Sequence, residues 1–146
     1  MSTTQMSQTT YGFGVTVDLP YDEAIERTKA ALKEEGFGVL TEIDVRKTLK
    51  EKIDADFEPY IILGACNPGL AHRALLAEHE IGLLLPCNVI VHDDGDGRSK
   101  VSVMDPNAAM GLVESDAVAA VAAEAREKLQ RALEALQKES RRDSGS

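Results

Sequence analysis

The sequence predicts an α+β fold: a five-stranded, mostly antiparallel sheet in the order β-α-β-β-β-β-α, with two short inserted helices and with the long helices on one face. Three observations support this prediction. Five short segments have the alternation or the apolar content of strands, two long segments have amphipathic helical spacing, and a turn-rich segment joins the last two strands as a hairpin. The apolar stripes of the two long helices require one continuous surface, which a sheet face provides.

The first strand and the first long helix are predicted before residue 37. Tyr11, Phe13, Val15 and Val17 alternate in Y-G-F-G-V-T-V-D-L, as in a strand. The helix begins at Tyr21, directly after Pro20. Its apolar residues repeat at helical spacing, and the chain supplies a glycine stop after them: Ala24, Ile25, Ala31, Leu32 and Gly36.

The middle of the chain predicts two strands, each followed by a short helix. F-G-V-L-T-E-I is a strand, and Asp44 caps a helix in D-V-R-K-T-L-K-E-K-I, whose basic residues form a solvated face. Y-I-I-L-G-A is a buried strand. Asn67 then caps a helix that starts with Pro68 and runs to about His79.

The last third of the chain predicts a hairpin and the second long helix. L-L-L-P-C-N-V-I-V-H and S-K-V-S-V-M are its strands, and D-D-G-D-G is the turn between them. The long helix runs from Asp116 to about Gln137. We expect one domain over residues 11–138, with flexible tails at 1–10 and 139–146.

Composition excludes several classes of function. The formal net charge of −9 repels phosphate, and aromatic residues make up 4% of the chain with no tryptophan, so we expect no binding of nucleic acid. The most apolar stretch, I-G-L-L-L-P-C-N-V-I-V, is too short for a membrane span, so we expect no membrane partner. The first ten residues do not resemble a secretory signal, which predicts a cytoplasmic protein with two free thiols.

Both cysteines are followed by asparagine. Cys66 precedes a predicted helix cap, where unpaired amides can stabilise a thiolate and lower the thiol pKa, so we expect Cys66 to react before Cys87. A free cysteine also packs well as a small hydrophobe, and no C-x-x-C pair is present. Packing is the favoured role.

Cys87 lies in a predicted strand beside Pro86, which lacks the amide hydrogen that a central strand uses. Pro86 therefore predicts an edge, a bulge or a local break, which either faces a pocket or bends the strand around the core. Asn88 can satisfy a backbone group left unpaired there. Asn67 would then cap a helix, whereas Asn88 would pair with a backbone group beside Pro86. The repeated Cys-Asn dipeptide need not be one binding motif.

Metal signatures are incomplete. His72 and His79 are seven residues apart, farther than the i, i+4 spacing that clamps zinc. H-D-D-G-D-G from His92 lacks the bidentate glutamate of a calcium loop and suits a hairpin tip. We therefore predict no metal and no cofactor, with a soft-metal site at Cys66, Cys87 and Met104 as an alternative.

Four stretches match one family in order and spacing: A-L-K-E-E-G-F-G-V-L-T-E-I-D-V, I-L-G-A-C-N-P, L-L-P-C-N-V and M-D-P. From about Val15 to about Leu136 the chain resembles the domain of unknown function 302 family. The resemblance implies an antiparallel sheet of the TATA-binding-protein-like fold class and no known reaction. The family's hallmark segments correspond to residues 64–68 and 85–89, which suggests a candidate site there.

The sequence therefore predicts a small binding or assembly module, with a small-molecule ligand as a possible partner and a homodimer as the expected assembly. Its candidate site lies near the two Cys-Asn segments and comprises Cys66, Asn67, Pro86, Cys87, Asn88 and Met104. The alternative is a thiol-dependent redox protein or enzyme, with Cys66 as nucleophile and Cys87 as resolving thiol. No catalytic residue is assigned.

Overall fold

The computed structural model of the protein describes the backbone of residues 6–144 and the side chains of residues 6–140. Within it a 3-10 segment, His79–Leu84, lies between the third helix and the fifth strand. The strands and helices in chain order are β1 Ser7–Gln8, β2 Gly12–Val17, α1 Tyr21–Glu34, β3 Gly38–Asp44, α2 Val45–Ile53, β4 Tyr60–Cys66, α3 Pro68–Ala77, β5 Cys87–Gly95, β6 Arg98–Met104, α4 Pro106–Met110 and α5 Asp116–Ser144.

The sheet has the order β1-β2-β6-β5-β4-β3, and every neighbouring pair is antiparallel. The predicted α+β class and antiparallel sheet are confirmed. The predicted number of five strands is wrong, because Ser7–Gln8 pairs with Phe13 and Gly14 and adds a sixth strand at the β2 edge. Residues 6–10, which were expected to be part of a flexible N-terminal tail, include this strand. Residues 1–5 and 145–146 lie outside the described part of the chain.

One face of the sheet forms the core. Helix α1 contacts β5 and β6, α5 contacts β2, and the two helices contact each other. The inward side chains alternate along each strand, as the period of a strand requires. They are buried in one cluster: Phe13, Val15 and Val17 of β2, Ile61, Leu63 and Ala65 of β4, Val89 and Val91 of β5, and Val101 and Val103 of β6. We call the opposite side of the sheet the outer face.

Side-chain caps start the short helices where the sequence predicts them. The Asp44 carboxylate accepts a hydrogen bond from the Lys47 amide at 2.9 Å, which caps α2. The Asn67 side chain accepts one from the Leu70 amide at 3.2 Å, which caps α3 ahead of Pro68. Each cap pairs an amide that has no partner within its own helix.

Two elements differ from the prediction in extent. Leu83 and Leu84 belong to the 3-10 segment, and β5 starts only at Cys87. The apolar run there was predicted as one strand, but Leu83 is 83% exposed and does not face the core. Helix α5 continues to Ser144, beyond the predicted end near Gln137.

Candidate functional site

The predicted site residues separate into two places on opposite sides of the sheet. Cys66, Asn67 and Cys87 line a small cavity under α3 and α5. Asn88 and Met104 instead line a large groove on the outer face. The two Cys-Asn segments are neighbours, because Cys87 pairs with Ala65 across β4 and β5, but they do not form one pocket.

The cavity beside the cysteines has a volume of about 20 Å³, and apolar side chains such as Phe37 and Leu70 line most of it. That volume is close to the minimum for a single water molecule, roughly 10–15 Å³. A small-molecule ligand does not fit there. Cys66 and Cys87 are therefore packed side chains in this structure.

Burial governs both thiols. Burial raises the pKa of the Cys66 thiol, and burial together with a charge on Cys66 raises the pKa of Cys87 to about 11. This direction is opposite to the expected lowering at the start of α3, because removal from water disfavours the thiolate. Burial therefore disfavours an activated thiolate at Cys66.

Both ends of the Asn67 amide are used by the backbone. Its oxygen caps α3 through the Leu70 amide, and its nitrogen donates to the carbonyl oxygen of Glu35 at 3.4 Å, just after α1. Gly36 next to it has a positive φ of 85°, and a Cβ there would stand 2.9 Å from the Asn67 side-chain nitrogen. Asn67 thus ties the end of α1 to the start of α3.

Pro86 precedes β5 and does not interrupt it. The Leu85-Pro86 peptide bond is cis, and the ladder of β5 with β4 begins one residue later. Of the predicted outcomes, a local break before the strand is the one observed. The edge position is wrong, because β5 lies between β6 and β4 in the sheet. The Pro86 ring lies over Gly64, where a Cβ would come within 2.9 Å of it.

The outer-face groove is a large concave surface of the described chain. Its volume is about 670 Å³, and its walls come from the β1–β2 hairpin, β5, β6 and the first turns of α4. It is mostly apolar, with a few polar groups. Its lining includes Tyr60, Asn88, Lys100, Ser102, Met104 and Ala108.

Strand register explains why these side chains meet. On β6, Lys100, Ser102 and Met104 alternate with the buried Val101 and Val103, so they point to the outer face. Lys100 lies opposite His92 of β5, and Ser102 lies opposite Ile90. The sequence contained this signal in S-K-V-S-V-M, since alternation alone separates these residues from the core valines.

Glycine allows the closest strand approach under the groove. Gly12 and Gly14 of β2 pair with Met104 and Ser102 of β6. A Cβ at Gly14 would meet the Ser102 hydroxyl and stand 2.5 Å from the carbonyl oxygen of Val101. A Cβ at Gly12 would stand 2.8 Å from the carbonyl oxygen of Val103, so neither position has room for a larger residue without a shift of the β6 backbone.

An aromatic cluster borders the groove at Tyr60. Its ring stacks on His92 with centroids 5.3 Å apart, and Phe57 meets it edge-on at 5.9 Å. Burial, followed by the charges of Glu58 and Tyr11, raises the pKa of Tyr60. The Tyr60 phenol therefore stays protonated at neutral pH and can donate a hydrogen bond.

The proposed soft-metal set does not assemble. Met104 lies in the outer-face groove, whereas the side chain of Cys87 lies at the inner cavity. Among the described residues, no three His, Cys, Asp or Glu side chains form a group that could hold a metal ion. No helix between residues 6 and 144 combines the length and apolar content that crossing a bilayer requires.

Comparisons with known proteins agree with the fold. Residues 13–136 match the family model described as domain of unknown function DUF302. The chain is similar to the crystal structure of an uncharacterized conserved DUF302 protein from Bacillus stearothermophilus, with 35% sequence identity and a TM-score of 0.77. That similarity covers 84% of this chain and 95% of the other. No curated protein matches the sequence significantly.

Proposed function

Because the chain belongs to the DUF302 family, a family of unknown function, we propose its function from geometry: it is a binding module that holds a small, largely apolar molecule in the outer-face groove. The groove's size and lining support this function. Small-molecule sites are typically about 300–1,000 Å³, mostly apolar, and furnished with a few convergent polar groups. The volume of about 670 Å³ lies within that range.

The polar groups in the groove are available to a ligand. Within the described part of the chain, the side chains of Asn88, Lys100 and Ser102 have no hydrogen-bond or ion-pair partner, although all three line the groove. Polar groups that are committed to the fold, such as Asn67, already have partners. This contrast is the observation that supports a ligand site at Asn88 and Met104 rather than at the cysteines.

A neutral apolar dye tests the groove. N-phenyl-1-naphthylamine should bind the protein saturably, with a rise in fluorescence. Ala108→Trp places a large ring on an exposed lining residue of α4 and should weaken binding by about tenfold or more, because the indole occupies part of the groove that the dye would fill. Ala123→Trp, at an exposed position of α5 that does not line the groove, should bind as the unaltered protein does. Equal binding by both variants would contradict the proposal.

We also propose that the protein forms a homodimer through the β3 edge of the sheet. Leu40 and Ile43 of β3 are 68% and 49% exposed, and Ile53 at the end of α2 is 68% exposed. Strand β3 is a sheet edge with free backbone groups, which commonly pair with another chain. The exposed apolar side chains favour burial against a second copy.

Light scattering at tens of micromolar protein tests the dimer. The unaltered chain should have the mass of two copies. Leu40→Lys should give a monomer, while Leu112→Lys, at another exposed leucine that follows α4, should stay dimeric. A monomer for the unaltered protein would contradict the assembly, and it would leave the groove proposal unaffected.

Thiol chemistry remains the alternative function, although the raised pKa values of both thiols do not favour it. The TATA-binding-protein-like fold class, the cytoplasmic location and the lack of nucleic-acid binding stay predictions. The acidic net charge of −9 supports the last of these.

A further inference from the structure

We propose that the ligand of the outer-face groove is an amphipathic anion, with its acidic head at Lys100 and its apolar body directed toward Met104 and α4. This inference rests on the proposed binding function and names the chemical class of its ligand. The class comprises molecules with one carboxylate or similar acid group on an extended hydrocarbon or aromatic body. It follows from the charge of the groove and from the order of side chains along β6.

The charge of the groove is opposite to the charge of the protein. Lys100 is the one charged side chain among the described residues that line the groove, and no Asp or Glu lines it. The chain as a whole carries 25 acidic and 16 basic residues. Lys100 is partly buried and has no ion-pair partner within the described residues, so a ligand anion would supply its missing counter-charge.

Two acids that flank groove residues in the sequence, Asp105 and Glu58, lie beside partners other than Lys100. Asp105 directly follows Met104, but its carboxylate accepts hydrogen bonds from the Asn107 amide at 2.9 Å and from Arg126 at 3.3 Å. Glu58 lies 4.0 Å from the ring of His92, at the Tyr60 end of the groove. Neither carboxylate pairs with Lys100, so neither competes directly with a bound anion.

The side chains along β6 order the groove from polar to apolar. Lys100, Ser102 and Met104 follow one another on the outer face, and Ile90 lies opposite Ser102. Lys100 and Met104 are four residue steps apart, which in an antiparallel strand is roughly 13–14 Å, close to the length of an extended medium-chain acyl group. Beyond Met104 the wall consists of Ala108 and Ala109. A ligand with its acid group at Lys100 would therefore lay its apolar body along this wall.

Calorimetric titration of the intact protein with three probes that each carry a ten-carbon chain tests the class. Decanoate should bind more tightly than decanol by about tenfold or more, because its carboxylate forms a charge-assisted hydrogen bond with Lys100. Decyltrimethylammonium should bind more weakly than decanol. All three should compete with N-phenyl-1-naphthylamine, because they share its site.

Lys100 variants assign the charge to one side chain. Lys100→Met should reduce decanoate binding by about tenfold and leave decanol unchanged, whereas Lys100→Arg should retain the preference for decanoate. Arg98→Gln is the matched control: Arg98 lies two residues earlier on β6 but borders a separate depression with Asp18 and Gln137. It should change nothing. Circular dichroism confirms that each variant is folded.

The outcomes separate this inference from the function on which it rests. Equal affinities for decanoate and decanol, both weakened by Ala108→Trp, would overturn the anionic class and keep the groove. Decanoate binding that survives Lys100→Met or is lost in Arg98→Gln would place the acid elsewhere and overturn the inference. Absence of binding by every probe, including the neutral dye, would overturn the groove itself.

Discussion

At the scale of single residues, the two thiols have different exposure and different pKa values. Cys87 is buried, and its pKa is raised to about 11; Cys66 is partly buried and its pKa is raised by burial alone. We expect iodoacetamide to label native Cys66→Ser and Cys87→Ser variants slowly at neutral pH. Labelling of the retained Cys66 should rise only at alkaline pH, because burial raises its pKa. Labelling of the retained Cys87 should need a still higher pH, because its deeper burial, which remains when Cys66 is replaced, is the main cause of its raised pKa.

The increase of labelling with pH follows from the protonation states of the two thiols. A raised thiol pKa keeps the neutral, unreactive form to higher pH, so the rate of labelling follows the thiolate fraction upward. Intact mass spectrometry over a pH series measures both profiles. Rapid labelling of Cys66 near neutral pH would instead show an activated thiolate and would restore the thiol-dependent alternative.

Position 64 requires glycine because neighbouring side chains leave no space for a Cβ, and not because of its backbone angles. A Cβ there would meet the Thr41 hydroxyl and stand 2.9 Å from the Pro86 ring. Gly64→Ala should lower the free energy of unfolding by about 1–3 kcal/mol through overpacking. Gly38→Ala, on the neighbouring strand with nothing within 4 Å, should cost nothing measurable.

Urea unfolding measures both glycine variants, and Thr41→Ala provides the partner for a double-mutant cycle. In the Gly64→Ala background, Thr41→Ala should recover part of the loss because it removes the hydroxyl while the Pro86 contact remains. Additive effects would show that Thr41 moves aside freely. Gly64 would then be fixed by Pro86 alone.

The residues of the candidate site differ in how far sequence could predict them. Asn67 was predictable as a cap because capping depends on local spacing, and the structure confirms it. Lys100 was missed as a site residue, although strand alternation places it opposite the core valines. Whether Lys100 can bind an anion depends on which acidic side chains lie near it in space. Asp105, for example, pairs with Arg126, which is 21 residues away in the sequence. A local sequence pattern does not reveal such a long-range ion pair.

At the scale of elements, the end of α5 is attached to β2 by polar contacts. Ser140 is 1% exposed, and its hydroxyl accepts a hydrogen bond of 2.6 Å from the Asp18 amide. Ser140→Ala leaves that amide without its partner and should cost about 1–3 kcal/mol of unfolding free energy. Lys138→Ala, on the exposed side of the same turns, should cost little.

Urea unfolding at one buffer condition compares the two α5 variants. Equal stability of Ser140→Ala and Lys138→Ala would mean that water replaces the hydroxyl at Asp18. The last turns of α5 would then contribute little to the fold, and the domain would effectively end near Gln137, as the apolar pattern predicts.

Elements with a strong apolar period were predictable, and those held by polar contacts were not. The period of α1 and α5 located both helices because their apolar stripes face one core. Strand β1 was missed because Ser7 and Gln8 are both exposed and carry no alternation. The apolar run before β5 was predicted as part of a strand, but Leu83 in this run is exposed to solvent. In both segments the structure depends on contacts with distant parts of the chain, which the local pattern does not show.

At the scale of the whole molecule, two fields act on an anionic ligand. The net charge of −9 repels it at long range, while Lys100 attracts it at contact distance inside the groove. The Debye length falls from about 30 Å at 0.01 M salt to about 8 Å at 0.15 M. Added salt therefore screens the distant carboxylates much more than the single close contact.

We expect the association rate of the anionic dye 1-anilinonaphthalene-8-sulfonate to increase as salt is raised from about 0.01 M to about 0.15 M. The rate for neutral N-phenyl-1-naphthylamine should stay nearly constant, because that dye experiences no net repulsion. Stopped-flow fluorescence measures both. A rate for the anion that falls with salt would show that the positive potential of Lys100 extends beyond the groove and dominates the approach. A salt-independent rate for both dyes would mean that the acidic residues are spread too evenly to repel a ligand, so that selection for the anion would occur only after contact.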